Sequence, residues 1–255
     1  MGALVTYEVD GPAARLTLDS PHNRNALSTA LVEQLHDGFT RAAHDPSVRV
    51  VVLGHTGSTF CAGADLAESA GADVAETAVA RAAEMTRLLR RILESPLPVI
   101  AAVDGHVRAG GLGLVGACDI AVAGPASTFA LTEARIGVAP SIISLTLLPK
   151  LTARAAARYF LTGEKFGAGV AAEIGLITVA ADDVAGTVAQ VVSEVRRGSP
   201  QGLAASKALT TASILADFDR LAEKLTRESA ALFGSAEARE GMLAFLEKRS
   251  PTWAV

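Results

Sequence analysis

Hydrophobic positions along the chain first follow a period of two. Leu4 to Val9 alternates, and Ala14 to Leu18 resumes the alternation after Gly11-Pro12, which predicts a β-hairpin. The period then changes. Leu27, Leu31, Leu35 and Phe39 recur at i+4, the apolar stripe of a helix that Ser28 caps and Asp45-Pro46 ends. Val48 to Leu53 is nearly all β-branched and predicts a strand buried on both faces. A glycine-containing loop follows, expected to open a short helix with Asp65 in its first turn, where a carboxylate is favoured. Helical spacing returns over Val74 to Leu93, with Arg81, Arg87, Arg90 and Arg91 read as a solvated face.

Val99 to Val103 and Ile120 to Ala123 read as strands, and Thr128 to Leu131 as an extended segment leading to Glu133. Pro140 is expected to start a helix running to Leu148, Thr152 caps another over Ala153 to Leu161, and Leu176 to Val179 reads as a last strand. From Asp183 to Glu247 the pattern is helical, broken at Gly198-Ser199-Pro200 and near Gly234. Strands alternating with helices, then helices alone, argue an α/β core with a helical C-terminal subdomain, divided as 1–197 and 198–255.

Composition narrows the partners. Half of the 255 residues are hydrophobic, enough for an ample core, and a net charge of −4 gives no reason to expect nucleic acid. The longest uncharged stretch, Ile136 to Pro149, contains Pro140 and is too short to span a bilayer, so no membrane partner is expected. Met1 leads straight into strand-like residues, and Cys61 and Cys118 are the only cysteines. A reduced, cytoplasmic protein without a disulfide framework or a metal site is the expectation.

The chemistry concentrates in Asp104 to Asp119, where five glycines fall within twelve residues as a strand gives way to a helix. Unpaired amide N–H groups at a helix start suit an anion, standing or developing, and glycine lets a ligand atom approach them. The same glycines would equally serve close helix packing. Gly111, Gly113 and Gly116 spell G-x-G-x-x-G, but seven residues separate the strand from that motif, which argues against a dinucleotide site. Two such loops, each after a strand (Val48 to Leu53, Val99 to Val103), could supply one N–H apiece to a shared oxyanion site.

Here the sequence resembles the enoyl-CoA hydratase/isomerase (crotonase) superfamily. Phe60 to Leu66 (F-C-A-G-A-D-L) matches its most specific signature, and Val103-Asp104-Gly105 with Ala109-Gly110-Gly111 matches its second loop. Pro21 to Leu27 is similar to the first loop, Cys118-Asp119-Ile120 to a structural element, and Glu240 to Arg249 to the C-terminal helix. The resemblance implies a spiral of ββα units with a helical trimerisation region, assembled as a homotrimer or dimer of trimers. It implies that the N–H groups of Ala64 and Gly110 hold the thioester oxygen. Arg24, Ala26, Ala62, Asp65, Leu66 and Lys248 would line the coenzyme A edge. Coenzyme A is then part of the substrate, and no separate cofactor is implied.

The departure lies in the carboxylates. Typical hydratases of the family hold one water between two glutamates; Glu133 matches the second, while Gly113 stands where the first should be. The usual glycine pair is also changed, to Ser141 and Ser144. This combination resembles the methylglutaconyl-CoA and isohexenylglutaconyl-CoA hydratase branch, implying a single-glutamate hydratase and a branched or dicarboxylic acyl group. A Δ3,Δ2-enoyl-CoA isomerase and a non-catalytic acyl-CoA binder stay open beside it. Gly113→Glu is expected to speed hydration where the pocket has room. Arg108 is either a structural arginine or, through its planar fork, a contact for a second carboxylate on the acyl group.

Overall fold

The structure, a computed structural model, describes residues 2–65, 68 and 74–254. Strands β1 (Val5–Asp10) and β2 (Ala13–Leu18) form the expected antiparallel hairpin. The sheet continues in parallel through β3 (Val50–His55), β5 (Val99–Val103), β7 (Ile120–Ala123) and β10 (Val179–Ala180). A second sheet carries β4 (Thr59–Cys61), β6 (His106–Arg108), β8 (Thr128–Ala130) and β9 (Phe166–Gly167), in that order.

Alternation along the β-branched strands sends side chains into two cores. Val51, Leu53, Val99 and Ala101 face the main core, while Val50, Val52 and Ile100 face a smaller one. The main core receives α1 (Thr29–His44), α2 (Val74–Glu94) and α3 (Gly110–Ala117). The smaller one is covered by α7 (Val184–Val195) through Val188. Ser28 accepts a hydrogen bond from the Leu31 amide, the cap that its position predicts. Leu88, Leu89 and Ile92 of α2 are fully buried, each contributing roughly 1.5–3 kcal/mol of apolar burial.

Between the strands lie α4 (Ser144–Leu147), α5 (Ala153–Thr162) and α6 (Ala168–Glu173). The helix expected from Pro140 is thus confined to four residues, and the last strand begins at Val179 rather than Leu176, whose side chain enters the core. The long α8 (Pro200–Phe233) is capped by Ser199, and its Phe218 joins the main core. Lys207 fastens it: the buried ammonium pairs with Asp119 at 2.8 Å and donates to the carbonyls of Ile92 and Leu97. Helix α9 (Ala236–Leu246) packs so tightly that a Cβ on Gly241 would lie 2.5 Å from the Ile136 carbonyl carbon.

The arginines of α2 do more than face water. Arg90 reaches Asp219 of α8 at 2.6 Å and Arg91 donates to Thr40 of α1, while Arg81 pairs with Glu68. Two of the four cations, Arg90 and Arg91, thus tie α2 to neighbouring helices, while Arg87 pairs with Glu84 of α2 itself. Among the described residues, no helix is long and apolar enough to cross a membrane.

Candidate active site

Three short parallel strands, β4, β6 and β8, lie side by side and deliver three groups at their carboxyl ends. Beyond β4 come Gly63 and Ala64, beyond β6 comes Gly110, and beyond β8 comes Glu133. The two loops were expected directly after β3 and β5. They leave instead from β4 and β6, because the chain turns after each long strand and starts a short one in the second sheet.

The loops touch. A Cβ on Gly63 would lie 3.3 Å from the Arg108 carbonyl oxygen and 3.4 Å from the Gly110 nitrogen. Gly63 adopts φ +90°. Ala109, the N-cap of α3, is held at φ +46°, ψ −121°, a region that favours glycine. Parallel bridging to Leu27 uses the Gly63 carbonyl and the Asp65 amide and leaves the Ala64 N–H out. Among the described residues, neither the Ala64 nor the Gly110 N–H donates a hydrogen bond. Two unpaired donors on touching loops can hold a carbonyl oxygen that gains negative charge, provided both aim at it.

Glu133 opens a 3-10 turn, Glu133–Ile136, three residues after β8. It is only 7% exposed, and its Oε2 is buried with no hydrogen-bond partner among the described residues. Burial pushes its carboxyl up from 4.5 to about 7, so both protonation states are accessible near neutrality.

The coenzyme edge expected from sequence is partly assembled. Arg24 is exposed at φ +60°, its carbonyl accepting from the Ala62 amide at 3.1 Å, and Ala26 is buried beside it. Asp65 accepts from Asn23 at 3.1 Å and is not helical; the short helix expected there, with Leu66, lies outside the described residues. Lys248 is exposed beyond α9 at φ +56°.

Two residues that sequence reasoning left unassigned hold these loops. Asn25, fully buried at φ +53°, accepts from the Ser20 amide and donates to the carbonyls of Thr56 and Thr59. Asparagine's tolerance of left-handed backbone within P-H-N-R-N was the available signal. His55 accepts from the Asp104 amide through Nε2 at 3.0 Å, joining the first loop to the second.

Gly113 lies one helical turn beyond Gly110. A Cβ there would sit 2.4 Å from Ile143 Cγ2 and 3.1 Å from Met85 Cε, so Gly113→Glu cannot simply restore a carboxylate as expected. Arg108 is half-buried; its guanidinium donates to the Val107 carbonyl and to the carbonyl and hydroxyl oxygens of Thr128, at 2.6–2.8 Å. Its fork is thus engaged on strand β8.

The family model for enoyl-CoA hydratase/isomerase matches residues 9–255. The chain belongs to the enoyl-CoA hydratase/isomerase family. A crystal structure of an enoyl-CoA hydratase from Mycobacterium avium is 70% identical, covers all of both chains and superposes with a TM-score of 0.93. The 2,3-dehydroadipyl-CoA hydratase of Escherichia coli is 35% identical over 92% of either chain. Mevalonyl-coenzyme A hydratase of Aspergillus fumigatus is 32% identical over 93% of this chain and 90% of that one. The enoyl-CoA hydratase/isomerase match begins inside β1 and runs past α9, so both amide loops and Glu133 lie within it.

Proposed function

We propose that this protein hydrates a trans-2-enoyl-CoA thioester with a single glutamate. One observation carries the reading: the unpaired N–H groups of Ala64 and Gly110 lie on adjoining loops beyond β4 and β6, beside the strand that leads to the buried Glu133. The amides hold the thioester oxygen as it becomes an enolate oxygen. Glu133 takes a proton from water as the water oxygen bonds to C3, and the proton then passes to C2, leaving a 3-hydroxyacyl-CoA. Losing one such N–H donor costs about a hundred- to a thousandfold in other enzymes. Arg24, Ala26, Ala62, Asp65, Leu66 and Lys248 line the coenzyme A edge in this reading. The chain assembles as a homotrimer or dimer of trimers, a reading that exposed Leu209, Phe245 and Leu246 on the C-terminal helices support.

The acyl group is branched rather than dicarboxylic in this reading, although 2,3-dehydroadipyl-CoA, named for the Escherichia coli relative, carries a second carboxylate. Arg108 has its fork on Thr128, and the neighbours of Gly113 are hydrocarbon. That hydrocarbon wall also favours a second reading, a Δ3,Δ2-enoyl-CoA isomerase, in which Glu133 carries a proton between C4 and C2 and no water is needed. Turnover of crotonyl-CoA against a 3-enoyl-CoA, followed at the enoyl absorbance, separates the two. Hydration of crotonyl-CoA that Gly110→Pro abolishes supports the first. Saturable binding of both thioesters without turnover would overturn both.

A further inference from the structure

Helix α3 carries Gly110 and Gly113 three residues apart, and one apolar group, the Met85 methyl, stands over both. Met85 Cε would lie 3.6 Å from a Cβ on Gly110 and 3.1 Å from one on Gly113. Ile143 is the more rigid neighbour. It is 4% exposed, and both its Cγ2 (2.4 Å) and its Cβ (3.0 Å) crowd the Gly113 position. A β-branched side chain has few rotamers with which to yield, whereas a methionine can swing away. No side chain fits at position 113 while Ile143 stays.

We propose that Ile143 is a specificity-determining residue that fills the volume beside Gly113 where a second carboxylate and its water would sit, confining the site to single-glutamate chemistry. The consequence rests on the proposed function, in which Glu133 alone handles the proton. Water needs about 30 Å³ and two or more polar partners to settle in a cavity. Ile143→Gly alone supplies space lined by hydrocarbon and stays dry. Gly113→Glu alone supplies a carboxylate without space. Only the pair supplies both, so the two substitutions are coupled rather than additive.

The test is a double-mutant cycle on the full-length protein with Gly113→Glu, Ile143→Gly and the pair, plus Gly113→Ala with and without Ile143→Gly. Thermal melting is read for all variants, with hydration of crotonyl-CoA and isomerisation of a 3-enoyl-CoA. Gly113→Ala and Gly113→Glu should melt well below wild type, and Ile143→Gly should recover much of that loss. The pair should hydrate crotonyl-CoA at least about tenfold faster than either single variant, with its hydration-to-isomerisation ratio raised by a similar factor. Additive melting shifts would overturn the proposal, as would a Gly113→Glu variant that folds and gains as much as the pair. So would a folded pair that shows no gain in hydration. A wild type that hydrates nothing while the pair does would refute the proposed function and leave this inference standing.

Discussion

The methyl group of Ala109 lies against Gly63 so closely that a Cβ on Gly63 would stand 2.9 Å from it. Glycine at one loop permits the alanine of the other to hold its unusual backbone, and that backbone aims the Gly110 N–H. Gly63→Ala meets this contact and the cost of φ +90° at once. We expect a loss of roughly 2–3 kcal/mol, or about 5–10 °C in melting temperature, from strain and overpacking together. Enoyl-CoA turnover should fall at least about a hundredfold, because the donors separate. Calorimetry and a turnover assay check this; wild-type activity in the variant would detach the contact from the amides' geometry.

Glu133 links stability to pH in a direction unusual for a carboxylate. Its folded value, about 7, lies above the ordinary 4.5, so the folded chain retains a proton that the unfolded chain releases. Stability therefore falls as pH rises from about 4.5 to about 7, by about 3 kcal/mol in all. Glu133→Gln removes that dependence. It should melt above wild type at pH 8 and close to it at pH 5. Wild-type turnover, which uses the ionised form as base, should rise with a midpoint near pH 7. In the variant, turnover should drop at least about a hundredfold with thioester binding retained. A variant that keeps its turnover would remove Glu133 from the chemistry.

His55 titrates with the opposite sign. Its Nε2 must accept from the Asp104 N–H, so the ring is neutral with its proton on Nδ1, facing the Thr56 carbonyl at 3.3 Å. Burial holds it below the ordinary 6.5, so stability is lost as pH falls through that value towards the folded one. Replacement by leucine removes the acceptor of the solvent-accessible Asp104 amide, a net loss of about 0.5–1.5 kcal/mol. The variant's melting temperature should also gain on that of wild type as pH falls from 7 to 5, on top of the Glu133 dependence that both proteins share. An unchanged dependence in His55→Leu would assign it to another group.

Arg108 is a clamp between β6 and β8. Arg108→Met leaves the Thr128 carbonyl without its 2.6 Å donor and loosens the strand that leads to Glu133. The expected result is a lower melting temperature with equal losses of kcat/KM for crotonyl-CoA and for a dicarboxylic enoyl-CoA. A preferential loss of tenfold or more on the dicarboxylic substrate, about 1.4 kcal/mol, would instead make Arg108 a substrate contact.

Much of this was legible in the chain. The hairpin, α1 and α2 were, because their hydrophobic periods run long enough to be counted, and Ser28 and Thr152 cap helices where their positions predict. Strands β4, β6 and β9 were not, since two or three residues hold no period; yet β4 and β6 deliver the amides. The motif around Phe60 to Asp65 pointed to one amide and the glycine pair at Gly110 to the other. Nothing local to Gly113 foretold Ile143. That contact joins residues far apart in sequence, and hydrophobic pattern alone marks Ile143 as core without saying what it excludes.

The packing of Gly241 on Ile136 makes the carboxylate depend on a distant part of the chain. Strands β4, β6 and β8 and both amide loops precede the turn that begins with Glu133, and α9 follows far downstream. That turn is braced at its far end by α9, backbone against backbone. A variant ended at Gly234 lacks the brace; it should keep strand and helix signals in circular dichroism while turning over no thioester. Turnover thus hangs on a helix that, in the proposed reaction, touches none of the reacting atoms.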